Sequence, residues 1–518
     1  MDDPLILTYD CGTQSIRAML FDKQGNILAK TKRTFQPYYS LQPGWAEQNP
    51  QVYMDAFNAC GNEMKATYPE LWKRVVGVTV AALRDTCVCL DEQGNPLRDI
   101  ILYIDNRDIV FDKKLPFWNR VAIGLVGMSE TVKKQRVYSK SNWIKINEPE
   151  IWKKTYKYVV FSCWLNHYLT GKFIESTASQ IGHIPFDFKR SKWKSTRDIQ
   201  YPVFDIEPEK LPDILPPGEI LGYVTREAAE KSGIPEGLPV IAAGSDKCCE
   251  SVGCGLIHSD MAALSFGTAA TIDFFTRHYA EPQPFAPAYP SLIQGCYTPE
   301  VQIYRGYWMV TWFKNEFAKD QAKAAQQKNV SLDRYLDEKL SSVPVGCEGL
   351  ILQPYWYPTF HNPEARGTML GFTDTHTNAY VYRAIIEGIG YELYDSKEKI
   401  EKRVGLSVKR LTVSGGGSQS NEACQITCDI FGLPVQRIQT YEACGLGAAI
   451  IGFVAMGAYP SVEAAVANMV RYVDTFVPNE ENHRIYQTIY RKVYRKLYRH
   501  VAPLYRVMQK QEPLLRSA

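Results

Sequence analysis

Leu5-Ile6-Leu7-Thr8-Tyr9-Asp10-Cys11-Gly12-Thr13-Gln14-Ser15-Ile16-Arg17-Ala18-Met19-Leu20-Phe21-Asp22 is the run whose reading decides the fold. An apolar, β-prone stretch enters a Gly-Thr turn and a second one leaves it, so the segment reads as strand, turn, strand. The same shape returns in Ala262-Ala263-Leu264-Ser265-Phe266-Gly267-Thr268-Ala269-Ala270-Thr271-Ile272-Asp273-Phe274-Phe275, where Gly267-Thr268 lies 255 residues beyond Gly12-Thr13. Chance supplies a lone Gly-Thr pair easily. It supplies two such hairpins half a chain apart much less easily. The pattern therefore predicts two related α/β domains, residues 1–254 and 255–518, each opening with a glycine-threonine hairpin.

The length of 518 residues fits that division, because a single core stops growing well short of it. At the predicted boundary, Val252-Gly253-Cys254-Gly255 places two glycines where a hinge can absorb rotation. Further along, Lys409–Ser414 reads as a strand and Gly415-Gly416-Gly417 as a loop. Ser418 or Ser420 then caps a helix through Cys424, Thr427 and Phe431, which Gly432 and Pro434 stop. Glu442–Ala449 opens a helix of small residues. Tyr486, Tyr490, Tyr494 and Tyr498 recur every fourth residue in a C-terminal helix near 482–508 and predict a face packed on its own domain.

Composition excludes several function classes. The net charge of +3 lacks the basic excess that a dedicated nucleic-acid binder uses. No apolar run is long enough for a membrane span. Met1-Asp2-Asp3-Pro4 lacks the basic and apolar regions of a secretory leader. The thirteen cysteines lack zinc-site spacing and read as thiols in a reducing cytoplasm. No Walker A loop and no protein-kinase motif set is present. Phosphates would have to be held another way. Paired Gly-Thr hairpins supply close backbone N–H groups and a hydroxyl, and a Gly-Gly-Gly turn before a helix supplies an anion-binding N-terminus.

Taken in this order and spacing, the motifs resemble those of the FGGY carbohydrate kinase family, which includes glycerol kinases, xylulokinases and gluconokinases. Asp10–Arg17 resembles its first phosphate motif, Ala243-Gly244-Ser245-Asp246 the run carrying the catalytic aspartate, Phe266-Gly267-Thr268 the second phosphate motif, and Ser414–Asn421 the adenosine motif. Lys140–Ile144 and Ala365–Gly371 with Ala384–Glu387 resemble the two family signatures. Ser141, Phe372 and Tyr380 depart from them. The resemblance spans essentially the whole chain. It implies an actin-like fold of two ribonuclease-H-like domains flanking a deep cleft, and an ATP-dependent kinase acting on a hydroxyl of a ketose or polyol.

The resemblance also implies roles. Asp246 is the catalytic base. Asp10, with Asp246, holds magnesium. Gly12, Thr13, Gln14, Ser15, Arg17, Gly267 and Thr268 lie at the phosphates, and Gly416, Gly417 and Asn421 lie by the adenosine. Arg84-Asp85 resembles the acid–arginine pair with which glycerol kinases hold substrate hydroxyls, a structural ion pair being the alternative. Asp105 and Arg107 are secondary candidates. Lys247 stands where relatives carry Gln or Asn, so it either meets a carboxylate, as in a sugar acid, or pairs with a neighbouring acid; with Arg84 and Arg107 it suggests a sugar-acid, gluconate-like kinase as the alternative. Tyr307 stands where a small residue is expected beside the nucleotide. A nucleotide-binding switch without kinase activity is the reading from another class. The oligomeric state stays open, a homodimer included.

Overall fold

The computed structural model describes residues 3–107, 109, 115–125, 127–284, 286–356 and 364–516. Met1 and Asp2 lie outside them. Two six-stranded sheets organise the chain. The first is built from β1 (Leu5–Cys11), β2 (Ser15–Phe21), β3 (Ile27–Thr34), β4 (Val75–Ala82), β5 (Ile220–Tyr223) and β6 (Pro239–Ile241), in the order β5-β6-β4-β1-β2-β3. The second is built from β7 (Met261–Phe266), β8 (Ala270–Phe274), β9 (Glu300–Ile303), β10 (Arg410–Ser414), β11 (Val435–Ile438) and β12 (Tyr472–Phe476), in the order β9-β8-β7-β10-β11-β12. In each, a three-strand antiparallel meander is extended by two parallel strands and an antiparallel edge. The duplication read from the two Gly-Thr hairpins is thus present as duplicated topology, the two-domain actin-like fold.

The central strand β1 is buried at every residue, as a strand covered on both faces must be. Chain order does not follow packing, however. Among the helices are α1 (Asp246–Gly253), α2 (Asn378–Val404), α3 (Asn421–Phe431), α4 (Ala443–Ala455), α5 (Glu480–Ile489) and α6 (Arg495–Arg516). Helix α4 comes late in the chain. Yet its Leu446, Ala449, Ile450 and Phe453 share a core with Ile6, Met19 and Phe21 of the first sheet. It crosses α1 so closely that a side-chain carbon at Gly447 would lie 1.8 Å from the Cys249 carbonyl oxygen, and one at Gly253 would lie 1.9 Å from that of Ala443. The small-residue helix foreseen from Glu442–Ala449 is small for that reason. Gly253 serves this crossing.

The tyrosine stripe packs on its own domain. Tyr486, Tyr490 and Tyr494 are buried against α2. Their hydroxyls donate to Glu387 (2.9 Å), Asp395 (2.8 Å) and Glu392 (2.8 Å) respectively. A buried phenol needs such a partner. Arg383 also bonds Glu387, which fixes this signature glutamate as a structural hub.

Candidate active site

Asp10 sits near the end of β1, directly opposite Arg17 in β2. The Arg17 Nη1 donates to Asp10 Oδ2 at 2.7 Å, and Cys444 Sγ of α4 lies 3.5 Å from Oδ1. Glu442 flanks Arg17 at 3.7 Å and receives Lys30 at 3.1 Å. Burial pushes the Asp10 carboxyl above its ordinary range, with Arg17 pulling the other way. The turn closes through Gly12 N–H donating to the Ser15 carbonyl at 3.0 Å. Thr13 is half-buried at its tip, Gln14 is exposed and Ser15 is buried.

Asp246 opens α1. Ser245 caps that helix by accepting from Cys248 N–H, and its own N–H donates to the Ala178 carbonyl at 3.2 Å. Asp246 therefore stands at the positive end of a helix. Its side chain keeps 32% of its surface accessible. Burial still pushes its pKa up to about 6, with Arg84 and Lys247 opposing and Asp10 adding to the rise. A base near that value is ionised at neutral pH while still matched to a hydroxyl proton better than an ordinary carboxylate.

Arg84 and Asp85 are adjacent in sequence but do not pair with each other. Arg84 reaches across to the second sheet and makes a two-pronged bond with Glu300 at 2.9 and 2.8 Å. Its Nε lies 3.8 Å from Asp246, and its guanidinium sits over the Tyr289 ring. Asp85, at a φ of 48°, is gripped by Lys140 Nζ at 3.0 Å and His183 Nδ1 at 2.9 Å. Burial works against its charge, but His183 and Lys140 outweigh it and hold the carboxyl well below its usual range. Asp105 and Arg107 form a buried pair at 2.8 Å, with Arg107 between Trp45 and Trp143.

On the nucleotide side, Gly267 and Thr268 form the β7–β8 turn, and their carbonyls accept from Tyr307 and Trp308 N–H. Gly415, at a φ of 82°, lays the glycine loop against this turn, where a side chain would strike Phe266. Ser418 closes that loop onto the Gly415 carbonyl, while Ser420 caps α3 through Ala423 N–H; the two candidate caps divide the work. Gly416 faces open space, and Asn421 is exposed at the helix start. Tyr307 stacks on Phe266 at 4.6 Å, and a carbon added at Gly417 would come within 2.4 Å of its ring. The unexpected tyrosine thus forms a wall of this loop.

Lys247 is bonded to a neighbouring acid and a serine of the second sheet. Its Nζ donates to Glu250 at 2.6 Å and to Ser265 Oγ at 2.8 Å. Burial works against its charge and Glu250 more than restores it. Of the two readings of Lys247, pairing with a neighbouring acid is the one seen. Sequence reasoning did not find Glu250, Glu300, His183 or the hold of Lys140 on Asp85. Only Glu250 carried a local signal, an acid one helical turn beyond Asp246.

Comparison with known proteins bears on the family and the fold. The model for the FGGY family of carbohydrate kinases, N-terminal domain, matches residues 5–253, and that for the C-terminal domain matches 262–456. The chain belongs to the FGGY family of carbohydrate kinases. An uncharacterized sugar kinase, YgcE, of Escherichia coli strain K12 is 28% identical, covering 94% of this chain and 92% of its own. The xylulose kinase of Lactococcus lactis subsp. lactis strain IL1403 is 26% identical, over 93% and 94%. The crystal structure of gluconate kinase from Lactobacillus acidophilus superposes with a TM-score of 0.82 at 19% identity, over 98% and 100%, which speaks to the fold. This FGGY kinase is therefore an ATP-dependent sugar kinase, a phosphotransferase with an alcohol group as acceptor. No described helix is long and apolar enough to cross a membrane.

Proposed function

We propose that this kinase phosphorylates a neutral ketose or polyol, with Asp246 taking the proton from the attacking hydroxyl. One observation carries the substrate class. The cations that sequence reasoning offered to a substrate carboxylate are already matched: Arg84 by Glu300, Lys247 by Glu250 and Arg107 by Asp105. Lys140, beside them, is matched by Asp85. A sugar acid entering here would have to break such a pair, whereas hydroxyls can donate to Asp85 and accept from Arg84 without doing so.

In this reading Thr13, Ser15, Arg17, Gly267 and Thr268 receive phosphate oxygens, and Gly416, Gly417 and Asn421 border the adenosine. The division in this reading falls near residue 255, with the sugar-binding groups, the first phosphate turn and Asp246 before it and the second phosphate turn and the adenosine loop after it. Magnesium fits the donor set. Asp10 and Asp246 are two carboxylates whose charges act on one another, and one or two carboxylates with waters are what that ion takes. Bound with ATP, it would neutralise phosphate charge. The thirteen free thiols support a reducing, cytoplasmic setting.

The test is ADP release with Mg-ATP over ketoses, polyols and aldonates, run beside Asp246→Asn. We expect a neutral sugar to give the highest kcat/KM and the variant to lose it. Faster turnover of an aldonate than of its matching alditol would overturn the substrate class.

A further inference from the structure

Helix α1 carries more than Asp246. Its Cys248, Cys249 and Val252 face the core shared with the first sheet. Lys247, Glu250 and Ser251 fall on the other face, at spacings that place side chains side by side on a helix. All three bond to the second sheet. Ser251 Oγ donates to Asp273 at 2.6 Å, and Lys247 donates to Ser265. Glu250 does the most. Its Oε1 accepts from Ser265 Oγ and from Ser414 Oγ, both at 2.7 Å, while Oε2 accepts from Lys247.

The two serines are register partners on parallel strands β7 and β10. Ser265 immediately precedes the Phe266-Gly267-Thr268 turn, and Ser414 immediately precedes the Gly415-Gly416-Gly417 loop. One carboxylate, one helical turn from Asp246, thus holds the base of both nucleotide-side loops. Its side chain is only 14% exposed, so its bonds are not traded freely for water.

We propose that Glu250 is a positioning residue that locks the helix bearing Asp246 to both nucleotide-side loops, with Lys247 as its counter-charge. The proposal rests on the reading of Asp246 as the base. A nucleotide that draws the two loops together thereby orients α1, and a loop out of place releases it. Removing Glu250 should therefore damage nucleotide binding and turnover together while sparing the sugar contact of Asp85, which Lys140 and His183 hold within the first domain.

The experiment uses the full-length enzyme with its preferred sugar and Mg-ATP, and compares Glu250→Gln, Glu250→Asp, Ser414→Ala, the Glu250→Gln/Ser414→Ala double variant and Asp246→Asn. For Glu250→Gln we expect kcat to fall at least tenfold and KM for ATP to rise about tenfold, with KM for the sugar within twofold of wild type. Glu250→Asp should recover part of both losses. The double variant should lose less than the sum of the two single losses, because the two residues share the Glu250–Ser414 bond. A Glu250→Gln enzyme with wild-type kcat and KM for ATP overturns the proposal, and so does a loss that falls equally on both substrates. If Glu250→Gln does not fold, Ser414→Ala carries the test: an unchanged KM for ATP in that variant overturns the proposal. Asp246→Asn reports separately on the base, since full activity there refutes the underlying reading whatever Glu250→Gln does.

Discussion

Replacing Asp246 with asparagine should cost this enzyme its activity and make it more stable, by a margin that grows from about pH 4 and is full above about pH 6. The reasoning starts from the raised pKa. In the unfolded chain the carboxyl titrates near 3.8, and in the fold near 6, chiefly through burial. The fold thus prefers the protonated form. Stability from this group is complete below about pH 4, is lost as pH rises through 6, and stays lost above it. A rise of that size corresponds to about 3 kcal/mol. Because a third of the side chain remains accessible, screening reduces the expected cost to about 1–2 kcal/mol. Asparagine has the same shape and no charge, so it removes this cost. Thermal unfolding at pH 8 should show the variant higher by a few degrees, and at pH 4 the two proteins should coincide. Turnover at pH 8 should meanwhile fall by roughly 10²–10⁴. A variant that is less stable than wild type at pH 8, or equally shifted at both pH values, would refute the burial argument. Retained turnover would refute the role of base.

Other outcomes follow from the same geometry. The pH profile of kcat/KM for the sugar should fall tenfold per pH unit below about 6 as Asp246 takes up its proton, and a limb near 4 would count against it. Gly447→Ala should destabilise the enzyme by about 1–3 kcal/mol in denaturant titration, because the added carbon meets the Cys249 carbonyl at 1.8 Å and must prise α4 from α1. Gly417→Ala should raise KM for ATP several-fold by pressing on the Tyr307 ring. Tyr307→Ala in the same chain should restore it, and failure of that rescue would show that the loop responds to something other than this contact.

Much was legible in the sequence because it was written locally. The two Gly-Thr hairpins lie between strands contiguous in sequence, so alternation of apolar runs and turn residues suffices to find them. The glycine loop and the serine cap before α3 are likewise short-range signals, since a helix cap is satisfied within three residues. What could not be read was the partner of each charge. Arg84 finds Glu300, 216 residues away, and Glu250 finds Ser414, 164 residues away. Neither partner has a spacing that marks it. Lys247 stood open between a substrate carboxylate and a neighbouring acid, because Glu250, three residues on, is buried with it only once α1 lies on the second sheet. Nor did chain order reveal that α4, from the second half, completes the core of the first sheet. Hydrogen-bonded turns and periodic faces are decided by neighbours along the chain, and the sequence by itself determined them here. Which charges neutralise which, and which helices cross, depends on the ends of strands meeting in space, and that only the tertiary structure decided.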